Sequence, residues 1–219
     1  MPIDFDQARY TMIEQQVRPW DVLDPRVLET LTVIRREDFV PPRHRKLAFA
    51  DLALPLEHGE TMWKPTLEGR LLQALEIAPE HEVLEIGTGS GFITACLAHL
   101  GRAVCSIDIH ADFVDRARAR LAGLGFSCAR FQVADALEFT PNREFDAVAV
   151  TAAVARLPER FRDWVRPGGR MFVIEGESPV QEAVLYTRLG DGTGWRRESL
   201  FETDVPYLRG AAPTPRFVL

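Results

Sequence analysis

Hydrophobic and polar positions along the chain fall into two regimes: helical spacing of apolar residues up to Leu75, and short apolar runs alternating with helix-like stretches from Glu82 onward. The first predicted helix takes Asp6 as its N-cap and runs to Val17, where Arg18-Pro19-Trp20 breaks it. A second helix starts with Asp24 as N-cap and Pro25 at the first helical position, and it places Val27, Leu28, Leu31 and Ile34 on one face ahead of Pro41-Pro42. From Leu52 to Lys64 the periodicity lapses, and Pro55, His58 and Gly59 predict an irregular connection. Leu67, Leu71, Leu72 and Leu75 then resume a helical stripe.

Beyond that point, apolar runs at Glu82 to Ile86, Ala103 to Ile107, Ala129 to Val133, Ala147 to Val150 and Met171 to Ile174 read as strands separated by crossover helices. Ala183 to Leu189, Arg197 to Glu202 and Pro215 to Leu219 read as further strands joined by turns such as Gly190-Asp191-Gly192. The expected fold is α/β: a doubly wound, mostly parallel Rossmann-like sheet with N-terminal helices and an antiparallel C-terminal edge. Residues 1–75 form the expected helical and access segment, and residues 76–219 the main domain.

Composition narrows the function only by exclusion. With 46% hydrophobic and 26% charged residues, the chain is neither a disordered nor a fibrous type. A net charge of -6 argues against a nucleic-acid partner, whose phosphates are held by many Lys and Arg contacts. The densest basic stretch, Arg35, Arg36, Arg43, His44, Arg45 and Lys46, is read as a solvated face. Cys96, Cys105 and Cys128 are odd in number and set in apolar stretches, so they read as reduced core residues of a cytoplasmic protein. The N-terminus lacks the basic start and apolar run of a signal peptide, and no apolar run is long enough to span a membrane.

The densest chemical signal is Val83-Leu84-Glu85-Ile86-Gly87-Thr88-Gly89-Ser90-Gly91-Phe92, a buried-type strand entering glycines that open a helix. Glycine permits a tight turn and close approach of a ligand to the backbone, and helix N-terminal amides offer donors, so Gly87, Thr88, Gly89, Ser90 and Gly91 are candidate cofactor contacts. Asp108, followed by Ile109, ends the next strand, where an acidic residue accepts from ribose hydroxyls. Asp135 ends the third strand, where its carboxylate or the neighbouring backbone at Ala136 would meet an adenine ring. A dinucleotide-binding loop uses the same architecture but requires its third glycine one position later, where this chain has Phe92.

The chain resembles the protein-L-isoaspartate O-methyltransferases over nearly its whole length. The resemblance rests on Val83 to Gly91, on Phe145 to Val150 continuing into Thr151-Ala152-Ala153, on Leu157-Pro158, on Arg166 to Arg170, and on His58-Gly59 followed by Thr61 and Pro65. It implies S-adenosyl-L-methionine as cofactor, with Glu85 near its methionine portion. It also implies a methyl acceptor that approaches between the Gly59 to Pro65 segment and the loop after Val150. One departure is evident: the family's access segment reads Thr, aliphatic, Ser, any residue, Pro, and Trp63 stands in the place of that serine.

The resemblance further implies a protein or peptide carboxylate as acceptor, with Thr61 and Trp63 as candidate catalytic residues and His58, Lys64 and Thr151 as candidate substrate contacts. A carboxylate is ionised at neutral pH and needs no general base, whereas a hydroxyl or amine acceptor would need proton removal, for which His58 is nearest in sequence. Trp63 would either stack on an aromatic or cationic group or simply pack beneath the N-terminal helices. Lys64 and Arg156 would hold an anion or be solvated. Two alternatives stay open: a small-molecule acceptor, favoured by Trp63, and a cofactor-binding module without turnover. His44, His81, His99 and His110 share no ligand-like spacing, so no metal is expected.

Overall fold

The computed structural model describes residues 4–214. Strands β3 (Glu82–Ile86), β4 (Ala103–Asp108), β5 (Ala129–Val133), β6 (Phe145–Val154), β7 (Val165–Glu177), β8 (Val180–Arg188) and β9 (Trp195–Thr203) form one sheet in the order β5-β4-β3-β6-β7-β8-β9. The first five are mutually parallel, whereas β7–β8 and β8–β9 pair antiparallel, so the doubly wound sheet with an antiparallel edge is as expected. The strand order reverses between β3 and β4 on one side and β6 on the other, the position where such sheets open a crevice at their carboxyl ends. The predicted strand at Pro215 to Leu219 lies outside the described residues.

Helices α1 (Phe5–Met12), α2 (Pro25–Val33) and α3 (Pro65–Leu75) precede the sheet, and α4 (Phe92–Leu100) and α5 (Ala111–Gly123) cross between its strands. The first cap differs from expectation. Asp4, not Asp6, accepts from the amides of Asp6 and Gln7, and Asp6 instead pairs with Arg9 within the first turn. Nor does Pro19 stop the chain, since a wide turn over Ile13–Val17 and a tight one over Arg18–Trp20 carry it on to Asp21, whose φ of 58° ends the run. Asp24 caps α2 as predicted, accepting from Arg26 N at 2.8 Å.

Helix α4 is apolar on nearly every side, and all its residues but His99 are buried, because α2 and α3 cover the face that the sheet does not. Arg26 of α2 reaches over to donate to the carbonyls of Ile77 and Leu100 at 2.6 and 2.9 Å. Arg36, expected on a solvated basic face, is instead fully buried. It donates to Glu68 of α3 at 2.8 Å and to the carbonyls of Ala48 and Trp63. A guanidinium enters a core only with its donors matched, and three elements converge to match this one. Of the three free cysteines, only Cys96 is buried; Cys105 and Cys128 are half-buried. Among the described residues no helix is long and apolar enough to cross a membrane.

Candidate active site

The cleft forms where β3 meets the glycines. Gly87, Gly89 and Gly91 all have positive φ, at 96°, 49° and 83°, a region that a Cβ makes unfavourable. Each has a different neighbour. A side chain on Gly87 would collide with Thr151 Oγ1, one on Gly91 would sit 2.9 Å from Ala117 Cβ, and one on Gly89 would face open space with only Leu56 Cδ1 at 3.6 Å. Gly89 is therefore the position where the backbone itself forms the floor of the cleft. The turn is anchored by Gly87 N donating to Ile107 O at 2.8 Å and by Gly91 N donating to Thr88 O at 2.8 Å.

Asp108 closes the turn from β4. Its Oδ2 accepts from Gly89 N and its Oδ1 from His110 N, both at 2.9 Å, which leaves a lone pair on each oxygen for hydroxyl donors. Asp135 is held by a bond from Leu137 N to Oδ1 at 2.8 Å. Together with Ile109 and Ala136 these residues line a cleft that is partly open to solvent.

The opposite wall comes from the access segment, where a short antiparallel pair, β1 (Leu54–Pro55) and β2 (Thr61–Met62), brings Leu56, Glu60 and Thr61 to the cleft. Burial raises the Glu60 carboxyl above its usual range, with nearby His110 acting the other way. Thr61 Oγ1 is buried without a hydrogen-bond partner among the described residues. The third wall is the end of β6, where the register with β7 shifts between Ala149 and Ala153 and leaves Thr151 and Ala152 facing the cleft.

The chain matches the sequence model of protein-L-isoaspartate(D-aspartate) O-methyltransferase over residues 7–205. It belongs to that family. Protein-L-isoaspartate O-methyltransferase of Methylorubrum populi is 34% identical over 206 residues, 94% of this chain and 97% of the relative. That of Gloeobacter violaceus is 35% identical, over 83% of this chain and 89% of the relative. Among solved structures, a Plasmodium falciparum beta-aspartate methyltransferase in complex with S-adenosyl-L-homocysteine superposes with a TM-score of 0.78 at 18% identity, covering 94% of this chain and 99% of that one. It establishes the likeness of fold.

Within this isoaspartate methyltransferase fold, Gly87, Gly89, Asp108, Ile109, Asp135, Ala136, Thr61 and Thr151 all meet at the one cleft. Others of the predicted residues do not. Glu85 lies under the loop, fully buried, with Oε2 accepting from Thr94 and Ser106 hydroxyls; Ser106 is in turn 2.6 Å from Thr88 Oγ1. Burial pushes the Glu85 carboxyl up to about 8, against the two hydroxyl donors. Glu85 and Thr88 thus support the turn from beneath, while Ser90 starts α4 by accepting from Phe92 N at 3.3 Å.

Trp63 is buried, 6.4 Å from the Phe172 ring, and it does not line the cleft. Lys64 sets its ammonium 4.8 Å over Trp20, and Arg156 is exposed beside a different hollow near α6 (Glu159–Arg162). His58 stands outside the lining and stacks on His110, which is part of it. The hydroxyl of Thr151 is directed at the carbonyls of Ile86 and Gly87, at 2.9 and 2.7 Å, so its structural task is to brace the turn.

Sequence reasoning missed Leu56, Glu60, His110, Phe113 and the segment Tyr207-Leu208-Arg209, all of which line the cleft. The last group arrives because Leu208 N donates to Ala153 O at 2.7 Å and Ala153 N donates to Pro206 O at 2.9 Å, tying the segment after β9 to β6. Val205-Pro206 after a strand was the available sign of a terminated strand, but nothing local told where the chain went next.

Proposed function

We propose that this protein transfers the methyl group of S-adenosyl-L-methionine to the free carboxylate of an isoaspartyl residue in a damaged protein or peptide. The observation that carries this reading is the family match over residues 7–205, whose glycine loop meets a cleft floored by Gly89 backbone. When bound, the cofactor supplies a methyl group already activated by its sulfonium charge.

The residues present fit that group. Gly87 and Gly89 would admit it close to the backbone, Asp108 would accept from its ribose hydroxyls through the remaining lone pairs, and Asp135 with Ala136 would meet its base. Leu56, Phe113 and Leu208 give the cleft apolar walls, against which acceptor and donor would be held in line. Thr61 Oγ1 is the unpartnered hydroxyl on the acceptor side, suited to donate to a carboxylate oxygen. An ionised carboxylate requires no proton removal, in keeping with His58 being held on Asp112 instead of at the cleft. Because Trp63 lies in the core, the alternative of a small-molecule acceptor gains no support from it. Three free thiols support a reducing compartment such as the cytoplasm.

The test is methyl transfer from labelled S-adenosyl-L-methionine to an isoaspartyl peptide, with the matched aspartyl peptide as control. Selective, base-labile labelling is expected. Absence of label, with cofactor binding demonstrated by calorimetry, would assign the cleft to another acceptor.

A further inference from the structure

The cleft is rich in negative charge for a site that takes an anion. Glu60, Asp108 and Asp135 all line it, and against them the lining offers one permanent cation, Arg209. Among the described residues Arg209 has no carboxylate partner, although most arginines of the chain are tied to a carboxylate or a carbonyl. Arg209 is exposed and lines the cleft, while its backbone is fixed on both sides. Leu208 N donates to Ala153 O at 2.7 Å, Ala211 N to Leu208 O at 2.9 Å, and Ala155 N to Ala211 O at 2.8 Å. Tyr207 adds a bond from its hydroxyl to Gly176 O at 3.0 Å. A guanidinium without a carboxylate partner among the described residues, on a fixed strap tied to the end of β6, is a ready fork for a carboxylate.

We propose that Arg209 binds the acceptor carboxylate and selects anionic side chains, a proposal that rests on the carboxyl-methylation reading above. The guanidinium offsets the repulsion from Glu60, Asp108 and Asp135 and leaves the acceptor ionised, while its planar fork orients one carboxylate oxygen for attack. In the transfer that oxygen forms the bond to the methyl carbon as the sulfur–methyl bond breaks. The sulfur keeps the electron pair, and the neutral ester leaves Arg209 without a counter-charge, which favours release of the product.

The experiment compares the whole chain with Arg209→Gln and Arg209→Lys, measuring kcat and KM for an isoaspartyl peptide together with S-adenosyl-L-homocysteine affinity by calorimetry. For Arg209→Gln the peptide KM is expected to rise at least about tenfold, as loss of a charge-assisted bond requires, and kcat to fall as the attacking oxygen loses its orientation, with cofactor affinity little changed. Arg209→Lys is expected to restore part of the affinity, through its charge, but not kcat, since it lacks the planar fork, and raising the salt concentration is expected to weaken peptide binding more in the wild type than in Arg209→Gln. An unchanged KM in Arg209→Gln beside an active wild type overturns the role of Arg209 alone. A weakened cofactor affinity instead moves Arg209 to the cofactor and also overturns it. A wild type that binds cofactor but methylates no isoaspartyl peptide overturns the carboxyl-methylation reading and this proposal with it.

Discussion

The imidazole of His58 lies flat on that of His110, with ring centroids 4.0 Å apart and planes 4° apart. His58 Nε2 is 2.9 Å from Asp112 Oδ1, and Arg116 joins Asp112 to Glu57 at 2.8 and 3.0 Å. These contacts tie the access segment to the start of α5 across one side of the cleft. Burial acts to raise the Asp112 carboxyl, but the hydrogen bond from His58, the neighbouring charge of Arg116 and its own backbone amide together hold it below its usual range.

His58→Ala is expected to free this tie without unfolding the protein, because half-exposed pairs of this kind contribute at most about 1 kcal/mol. Amide exchange at Leu56 and Glu60, whose N–H groups bond within the access segment, should accelerate, and cofactor affinity should fall. Exchange equal to that of the wild type at both amides would dispose of the tie.

Gly89→Val and Gly91→Val should separate binding from folding. At Gly89 a branched side chain enters the cleft, so calorimetry should show loss of S-adenosyl-L-homocysteine binding, with stability lowered only by the left-handed backbone, about 1–2 kcal/mol. At Gly91 the added atoms meet Ala117 of α5 at 2.9 Å, and the melting temperature should fall further. Retained affinity in Gly89→Val would remove Gly89 from the cofactor site.

Trp63→Ser is expected to act as a core deletion. The indole is buried beside Phe172, so truncation should cost about 3–5 kcal/mol, read from denaturant unfolding, while turnover of the folded fraction stays close to that of the wild type. A large gain in turnover on a bulky acceptor would show instead that Trp63 restricts the cleft.

Glu85 supplies a pH dependence with a definite sign. The unfolded chain loses this proton near 4.5 and the folded protein keeps it to about 8, so the folded state binds more protons between these values. Stability of the cofactor-free protein should therefore fall as pH rises through that window, with a slope approaching about 1.4 kcal/mol per pH unit from this group. Glu85→Gln should flatten the curve in denaturant titrations made across the window. Identical slopes for the two proteins would mean that Glu85 ionises without strain.

The glycine turn, Asp108 and Asp135 were legible because each is required by its own position: a left-handed backbone at Gly89 and an acceptor at the end of a strand are local properties. Arg36 was misread for the opposite reason. In sequence it stands among cations, and only the convergence of Glu68, Ala48 O and Trp63 O gives it somewhere to be buried.

Local spacing was thus sufficient for the alternation of strands and helices, the glycine turn and the antiparallel edge, since periodicity and backbone preference act within a few residues. The placement of Trp63 in the core, the stack of His58 on His110 and the arrival of Arg209 at the cleft were decided by tertiary structure. Each depends on contacts between segments far apart in the chain, whose closure no local pattern records.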